Sequence, residues 1–251
     1  MWWWFAVALG QGYEAQPCTA RPELATELRQ GATWLVPAGP RFVMSATTSL
    51  VAPSSSLQVD PEEVRRQLGD AADLAQPPLF PVATADARSC TYGAPNLVDA
   101  NVATAWCEGA SGPGEGEMAI VPLPGTGALQ IRAGYGKSPT RYTDNARPKE
   151  VRVRLVGQGV PMPVQGELNR LMRVLGEHVV TLADEDGWQA LPLPTWSIPR
   201  FEQKPDDHWR PPKDEAPHYI AVEIMSAYPG SRWQDTCISE IAAAPAAPDP
   251  G

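Results

Sequence analysis

The sequence predicts an all-β protein, a sandwich or barrel built from short strands. Its 28 prolines and 21 glycines lie between apolar runs, and this distribution interrupts long helices and is typical of frequent turns. From Val151 to Leu155 apolar residues alternate with arginines, so one face of a strand would meet the core and the arginines would meet water. Beyond Cys90, apolar runs bounded by Gly, Pro or Asp recur at 118–123, 128–133, 149–156, 178–183, 188–193 and 218–227. This spacing indicates a sandwich or barrel.

The charge of the chain excludes one class of partner. The formal net charge is -9, and the sequence contains no run of clustered Lys and Arg residues. A surface of this kind repels a phosphate backbone, so we expect no nucleic-acid partner. The 251 residues suffice for a single β-sandwich with insertions.

Residues 1–16 form an apolar segment that is similar to a signal peptide. The stretch 2–9 is shorter than the roughly 20 residues that span a bilayer, and Ala8 and Gly10 have the small side chains that a signal peptidase reads. No Lys or Arg precedes the stretch, so the alternative is a misassigned start codon that adds a hydrophobic tail. No later segment is apolar for long enough to span a membrane. We therefore predict export to a secreted, periplasmic or cell-envelope location without a membrane span.

Two elements precede the apolar runs. Residues 17–39 are an N-terminal lead-in, in which 22–30 predicts a helix with Glu23 in its first turn. The β-branched and small residues of 42–50 predict the first strand. We assign no function to the lead-in.

Two further segments interrupt or follow the predicted strands. Residues 60–75 predict a short amphipathic helix, because Asp60 can cap its first turn and apolar side chains recur on one face. A Pro-rich stretch ends this helix, so 60–87 is interpreted as an insertion between sandwich elements. The Ala- and Pro-rich residues 244–251 predict a linker or frayed end.

The four cysteines favour disulfides over a zinc site. They lie far apart without a C-x-x-C pair, and their number is even in a chain predicted to be exported, at Cys18, Cys90, Cys107 and Cys237. Four cysteines permit three pairings, and their positions alone do not select one.

The sequence contains no catalytic motif that we can identify. The three histidines, His178, His208 and His218, belong to no H-E-x-x-H, H-x-E or nucleophile-elbow pattern. Residues 205–212 combine two aspartates with a histidine, but they lie in the Pro-rich connector 194–217, where a solvated loop is the ordinary interpretation. We therefore predict that the protein is not an enzyme.

Four segments together resemble the discoidin-like (galactose-binding-like) modules, in the branch named for the glycan-binding domain of an NAD-glycohydrolase toxin. They are 96–109 (NLVDANVATAWCEG), 134–138 (GYGKS), 145–149 (NARPK) and 228–241 (YPGSRWQDTCISEI). The resemblance implies a jelly-roll β-sandwich over 40–243, with Trp106 packed in its core. It also implies a binding module rather than a catalytic domain.

The first segment predicts a calcium site. Asp99, Asn101 and Thr104 place oxygen ligands within six residues, and a hard cation such as Ca²⁺ prefers oxygen ligands. In similar modules a glutamate of the last strand completes the ligand set of a structural calcium, and Glu240 occupies that place. The alternative is an Asx-turn in which the side chains close the loop themselves.

The resemblance has two further consequences near this loop. Glycine follows the aspartate in the common pattern, so a positive φ here would strain Ala100. The glutamate that the resemblance places at the loop also brings Cys107 close to Cys237, which implies a disulfide between them and leaves Cys18 with Cys90.

The predicted ligand-binding residues combine aromatic rings with hydrogen-bonding side chains, as a sugar face and its hydroxyls require. They are Tyr135, Lys137, Asn145, Arg147, Tyr228 and Trp233. For Asn145 and Arg147 the alternative is a structural network that ties loops together.

The predicted function is recognition of a glycan or another cell-surface ligand by a non-catalytic exported module. The alternative is a structural or protein-interaction component of the cell envelope without sugar binding. Residues 60–87 and 194–217, which could cover the binding loops, motivate that alternative.

Overall fold

The computed structural model describes residues 20–29, 34–40, 51–58, 91–125, 127–158, 162–164, 167–196 and 217–245. The helices in this part of the chain are α1 Glu23–Arg29, the 3-10 helix Ala94–Leu97 and α2 Pro139–Asp144. The strands are β1 Trp34–Pro40, β2 Ala52–Pro53, β3 Trp106–Cys107, β4 Met118–Pro122, β5 Leu129–Ala133, β6 Arg147–Gln158, β7 Met162–Val164, β8 Glu167–Thr181, β9 Trp188–Leu191, β10 Tyr219–Tyr228 and β11 Cys237–Ala243.

These strands form two antiparallel sheets, and this arrangement confirms the predicted all-β sandwich. The larger sheet has the order β1-β8-β6-β10-β4-β2, with β7 paired to β8, and the smaller sheet has the order β3-β11-β5-β9. Each of the six apolar runs that predicted strands overlaps a strand of one sheet or the other.

The main core lies between the two sheets. Ile131 and Ile241 of the smaller sheet pack in one cluster with Val153 and Val222 of the larger sheet. Trp106 belongs to the same cluster and is fully buried, as the resemblance implied. Because side chains alternate along a strand, the residues next to these core residues in sequence lie on the outer faces of the sheets.

Helix α1 covers part of the outer face of the larger sheet. Leu24 and Leu28, four residues apart on one helix face, are buried against it. Glu23 lies in the first turn of α1 and Arg29 in its last, and both charges suit the helix dipole. The sheet residues in this second cluster are Ala52, Met118, Ile120, Val156, Met172, Tyr219 and Ala221.

Charged residues also lie under this helix. The buried carboxylate of Glu223 on β10 accepts from Arg29 Nε at 2.9 Å, and it is paired with Arg152 Nη1 at 3.2 Å and Arg154 Nη1 at 2.9 Å. Arg154 is only 1% exposed and pairs also with Glu177. The expectation that the arginines of this strand meet water is therefore wrong for Arg154, because a buried carboxylate neutralises it within the sheet surface.

Several predicted features lie outside the described residues. They are the apolar segment 1–16, the first strand 42–50, the insertion 60–87, Cys18, Cys90, His208 and most of the connector 194–217 and the tail 244–251. Strand β1, which pairs with β8, crosses the predicted boundary between the lead-in and the sandwich at residue 39. None of the helices in the described ranges has the length and apolar character needed to cross a membrane.

We predict that Glu223→Gln lowers the free energy of unfolding by about 3 to 5 kcal/mol, because it removes the buried carboxylate that is paired with the buried Arg154. The matched control is Glu177→Gln, which takes the other partner from Arg154 but changes a side chain that is 53% exposed. We expect this control to cost less than about 1 kcal/mol. Urea unfolding monitored by tryptophan fluorescence measures both, and equal losses would contradict the prediction.

Candidate functional site

A disulfide links the two strands from which the candidate site is built. Cys107 on β3 lies opposite Cys237 on β11, and their sulfurs are bonded across a sequence separation of 130 residues. This confirms the pairing that the resemblance implied. The bond is fully buried beside Ala105 and Tyr135.

The loop of residues 99–104, named here the Asp99 loop, meets β11 as the resemblance implied. The Asp99 carboxylate accepts from Asn101 N at 2.9 Å and from Thr104 Oγ1 at 2.7 Å. Glu240 Oε2 on β11 accepts from Asn101 N at 3.0 Å. The structure therefore brings together all four predicted calcium ligands. Asn101 Oδ1 also accepts from Ala103 N at 3.1 Å, so the Asx-type contacts of the alternative interpretation are present as well.

The electrostatics of this loop are those of two neighbouring carboxyl groups. Burial raises the pKa of Glu240 to about 7. Backbone hydrogen bonds oppose this shift, and the charge of Asp99 adds to it. Among the described residues, no arginine or lysine forms an ion pair with either carboxyl group. A divalent cation bound between them would neutralise this repulsion.

The donor atoms suit a hard cation. Two carboxylates, the Asn101 amide oxygen and the Thr104 hydroxyl are all oxygen ligands, which Ca²⁺ prefers. Zinc sites typically use nitrogen and sulfur ligands instead. Within the described ranges, no group of three or more His, Cys, Asp or Glu side chains is placed to hold a metal ion.

Ala100 carries backbone strain at the centre of this loop. Its φ is +61°, and no other non-glycine residue in the described part of the chain has a positive φ. An L-residue in this region is less stable than glycine by about 1 kcal/mol or more. The Ala100 backbone N–H also forms a hydrogen bond that favours the charged form of Glu240. The strain therefore accompanies a contact to the predicted calcium ligand.

The predicted ligand-binding residues lie around α2 and the loop of residues 229–236. Ser138 caps the first turn of α2 by accepting from Arg141 N at 3.2 Å, and Asn145 Nδ2 donates to the carbonyl of Arg141 at 2.8 Å. Asn145 is thereby buried at the end of the helix. Asp144 then accepts from the backbone of Arg232 at 3.1 Å, which joins the helix to the loop.

Arg147 is the centre of a hydrogen-bond network among three segments. Its guanidinium donates to both carboxylate oxygens of Asp184, at 2.9 and 2.5 Å, and to the carbonyl of Pro229 at 2.9 Å. It also lies 5.2 Å from the centroid of the Tyr142 ring. Hydrogen bonding to Arg147 lowers the pKa of Asp184. These contacts are those of the structural network that was the alternative for Asn145 and Arg147.

The Gly134–Lys137 part of the resemblance is explained by close packing. Gly134 has a φ of +79°, and a Cβ there would lie 2.7 Å from atoms of Tyr142 and Arg147. Gly136 N donates to Ser239 Oγ at 2.7 Å, next to Glu240. The Gly134 position has no room for a Cβ, and at Gly136 a Cβ would lie 3.0 Å from the carbonyl oxygen of Val102, so glycine suits the close packing at both positions.

The remaining predicted ligand residues differ in exposure. Tyr135 is 9% exposed, contacts Tyr92 edge to face at a centroid distance of 6.0 Å, and has its pKa raised to about 12, chiefly by burial. Tyr228 is half-buried and donates to the carbonyl of Leu182 at 3.1 Å. Lys137 and Trp233 are exposed, the latter at 41%. Of the six residues, these two are the ones that offer their side chains freely to a ligand.

Sequence reasoning missed two residues at this end of the sandwich. Glu108 is fully buried, accepts from Thr236 N at 3.0 Å and Ala110 N at 2.7 Å, and has its pKa raised to about 7, first by burial. Its position after Cys107 in the segment 96–109 could have indicated it. Arg232 stacks on Trp233 with its guanidinium carbon 4.6 Å from the ring centroid. Its position between Ser231 and Trp233 in a matched segment could have indicated it.

A protein-family model described as the NAD glycohydrolase translocation F5/8 type C domain matches residues 81–244, more than half of the chain. The match contains the Asp99 loop, the disulfide, α2 and the 229–236 loop, whereas α1 and β1 precede it. It confirms the resemblance to discoidin-like modules. No curated protein matches the chain.

We predict that Ala100→Gly raises the free energy of unfolding by up to about 1 kcal/mol, because glycine adopts a positive φ without steric strain. The matched control is Ala103→Gly in the same loop, where φ is not positive. That substitution adds only freedom to the unfolded chain and is expected to cost about 0.5 to 1 kcal/mol. Urea unfolding in the presence of a chelator measures both, and changes of the same sign would exclude strain at Ala100.

Proposed function

Because the chain belongs to the NAD glycohydrolase translocation F5/8 type C domain family, we propose that it is a non-catalytic binding domain that recognises a glycan on a cell surface. The observation that carries this proposal is the exposed indole of Trp233 on a loop that is held in place from several sides. An aromatic face of this kind stacks on the apolar face of a pyranose ring, while neighbouring polar groups bind its hydroxyls.

Hydrogen bonds to α2 hold the loop that carries the Trp233 indole. Trp233 N donates to the carbonyl of Asp144 at 2.8 Å, and Ser231 Oγ donates to the Asp144 carboxylate at 3.1 Å. Arg147 binds the first residue of the loop at the Pro229 carbonyl. In this proposal Asn145 and Arg147 position the binding loop, and a prearranged loop loses little entropy when a ligand binds.

We also propose a structural calcium ion at the Asp99 loop. Asp99, Asn101, Thr104 and Glu240 would hold the ion, which would supply positive charge between two carboxyl groups of like charge. Bound there, calcium would fasten the loop to β11 and thereby stabilise the edge of the smaller sheet. The ion has no catalytic role in this proposal.

The proposed location is outside the cytoplasm, secreted or in the cell envelope. The Cys107–Cys237 disulfide supports this, because structural disulfides form and persist in oxidising compartments. The alternative function, a protein-interaction component of the envelope, rests on 60–87 and 194–217, of which nearly all lies outside the described residues.

We predict that millimolar calcium raises the melting temperature of the protein relative to EDTA. A ligand at about 100 times its Kd stabilises the native state by roughly 2.7 kcal/mol, which corresponds to about 5 to 10 °C for a chain of this size. Asp99→Asn and Glu240→Gln should each abolish the shift. Differential scanning fluorimetry measures it.

The matched control for this shift is Glu185→Gln, which removes an exposed carboxylate outside the Asp99 loop. It should retain the full response to calcium. A shift that persists in Asp99→Asn and Glu240→Gln would place the ion elsewhere, and no shift in the unaltered protein would exclude the calcium site.

We predict that the purified protein binds a defined set of glycans on a printed array in calcium buffer, and that Trp233→Ala weakens this binding about tenfold or more. Trp188→Ala is the matched control, because Trp188 on β9 is also 41% exposed but lies on the edge strand of the smaller sheet. Biolayer interferometry on the array hits measures the affinities.

Two outcomes of this experiment would overturn the proposal. Folded protein that binds no glycan excludes the function, and the envelope-partner alternative then becomes the one to test. An equal loss of glycan affinity in Trp188→Ala and Trp233→Ala would show that the 229–236 loop is not the specific binding surface.

A further inference from the structure

We infer that the glycan taken by this site is acidic and carries carboxylate or sulfate groups. This inference rests on the proposed glycan recognition and specifies its chemical class. It comes from the Arg232 guanidinium stacked on Trp233 and from two further exposed cations of the neighbouring backbone, Lys137 just before α2 and Arg141 within it.

The three cations are exposed and lack carboxylate partners. Within the described residues, Lys137, Arg141 and Arg232 form no ion pair. Other arginines of the sandwich are each paired with a carboxylate, namely Arg132, Arg147, Arg152 and Arg154. Three unpaired cations on one surface are notable in a chain whose formal net charge is -9.

The cations lie on connected backbone around α2. Lys137 immediately precedes the N-cap residue Ser138, and Arg141 lies in the helix. Arg232 N donates to the carbonyl of Asp144, the last residue of α2, at 3.1 Å. Since α2 is less than two turns long, the cations from the helix and from the 229–236 loop share one end of the molecule.

Most of the nearby negative charge is already engaged. Asp184 accepts two hydrogen bonds from the Arg147 guanidinium. Asp235 is half-buried, and burial raises its pKa. Asp144, the last residue of α2, accepts from Ser231 Oγ. None of these carboxylates forms an ion pair with Lys137, Arg141 or Arg232 within the described residues, so an anionic ligand would supply the partner that these cations lack.

Arg232 is prepared for such a ligand. Its guanidinium lies over the Trp233 ring, and this stacking uses the face of the guanidinium and leaves its in-plane N–H groups for an acceptor. Paired N–H groups match the geometry of a carboxylate or sulfate. The rest of the indole can then pack against the ring of the same sugar. The two residues together provide a stacking surface and an anion contact.

The test compares acidic sugars with neutral counterparts of the same shape. The probes are trigalacturonate and its methyl ester, and 3′-sialyllactose and its methyl ester, titrated into the full chain by isothermal calorimetry. We expect the acidic member of at least one pair to bind about tenfold more tightly, and we expect this preference to shrink between about 50 mM and about 300 mM salt.

The variants locate the anion contact. Arg232→Gln should abolish the preference, so that the acidic sugar binds no more tightly than its neutral counterpart. Arg21→Gln is the matched control, because it removes the same charge next to α1, where Arg21 pairs with Glu23 and Glu27. It should leave both affinities unchanged.

Each contrary outcome has a separate meaning. Equal affinity for acidic and neutral sugars overturns this inference and leaves glycan recognition intact. Failure of every sugar on the array and in calorimetry overturns the proposed function itself. Sedimentation with phosphatidylserine vesicles but not with phosphatidylcholine vesicles, without any sugar binding, would assign the cations to a lipid surface and would also overturn the inference.

Discussion

The covalent link between Cys107 and Cys237 is the constraint on which the candidate site depends. It fastens β3, a strand of only two residues, to β11, and β11 carries Glu240 to the Asp99 loop. Without that link the loop would be held to the sandwich by a few hydrogen bonds across a very short ladder. Tyr135 packs in the same cluster as this bond, and Glu108, next to Cys107, accepts from the backbone of Thr236, next to Cys237, so residues far apart in sequence are held together here.

The parts of this structure that could be predicted from the sequence are those in which local pattern and burial agree. Alternation around Val153 placed the correct side chains in the core, because a strand repeats every two residues and each sheet has one inner face. The Asp99 loop was recognisable because its oxygen-bearing side chains lie within a few residues of one another. The positive φ of Ala100 could be anticipated only because glycine is usual at that position in similar modules.

The rest depends on contacts between distant segments, which no local pattern records. Arg154 alternates as a surface residue would, yet it is buried and paired with Glu223 of another strand. Arg147 carries the side chain that a sugar site would use, but Asp184 and Pro229 occupy its hydrogen-bond donors. The role of such a polar side chain depends on the partner that the fold brings next to it. That partner cannot be predicted before the topology is known.

The position of α1 shows that the packed core extends beyond the segment that the family model matches. The family match begins at residue 81, yet α1 lies against the outer face of the larger sheet. Transplanting 81–244 alone into another protein would transfer the Asp99 loop, α2 and the 229–236 loop. It would also uncover Met118 and Ile120 and take Arg29 from Glu223. An exposed apolar surface of this kind promotes self-association. A version of this domain that is moved into another protein should therefore include α1, which lies outside the residues that the family model matches.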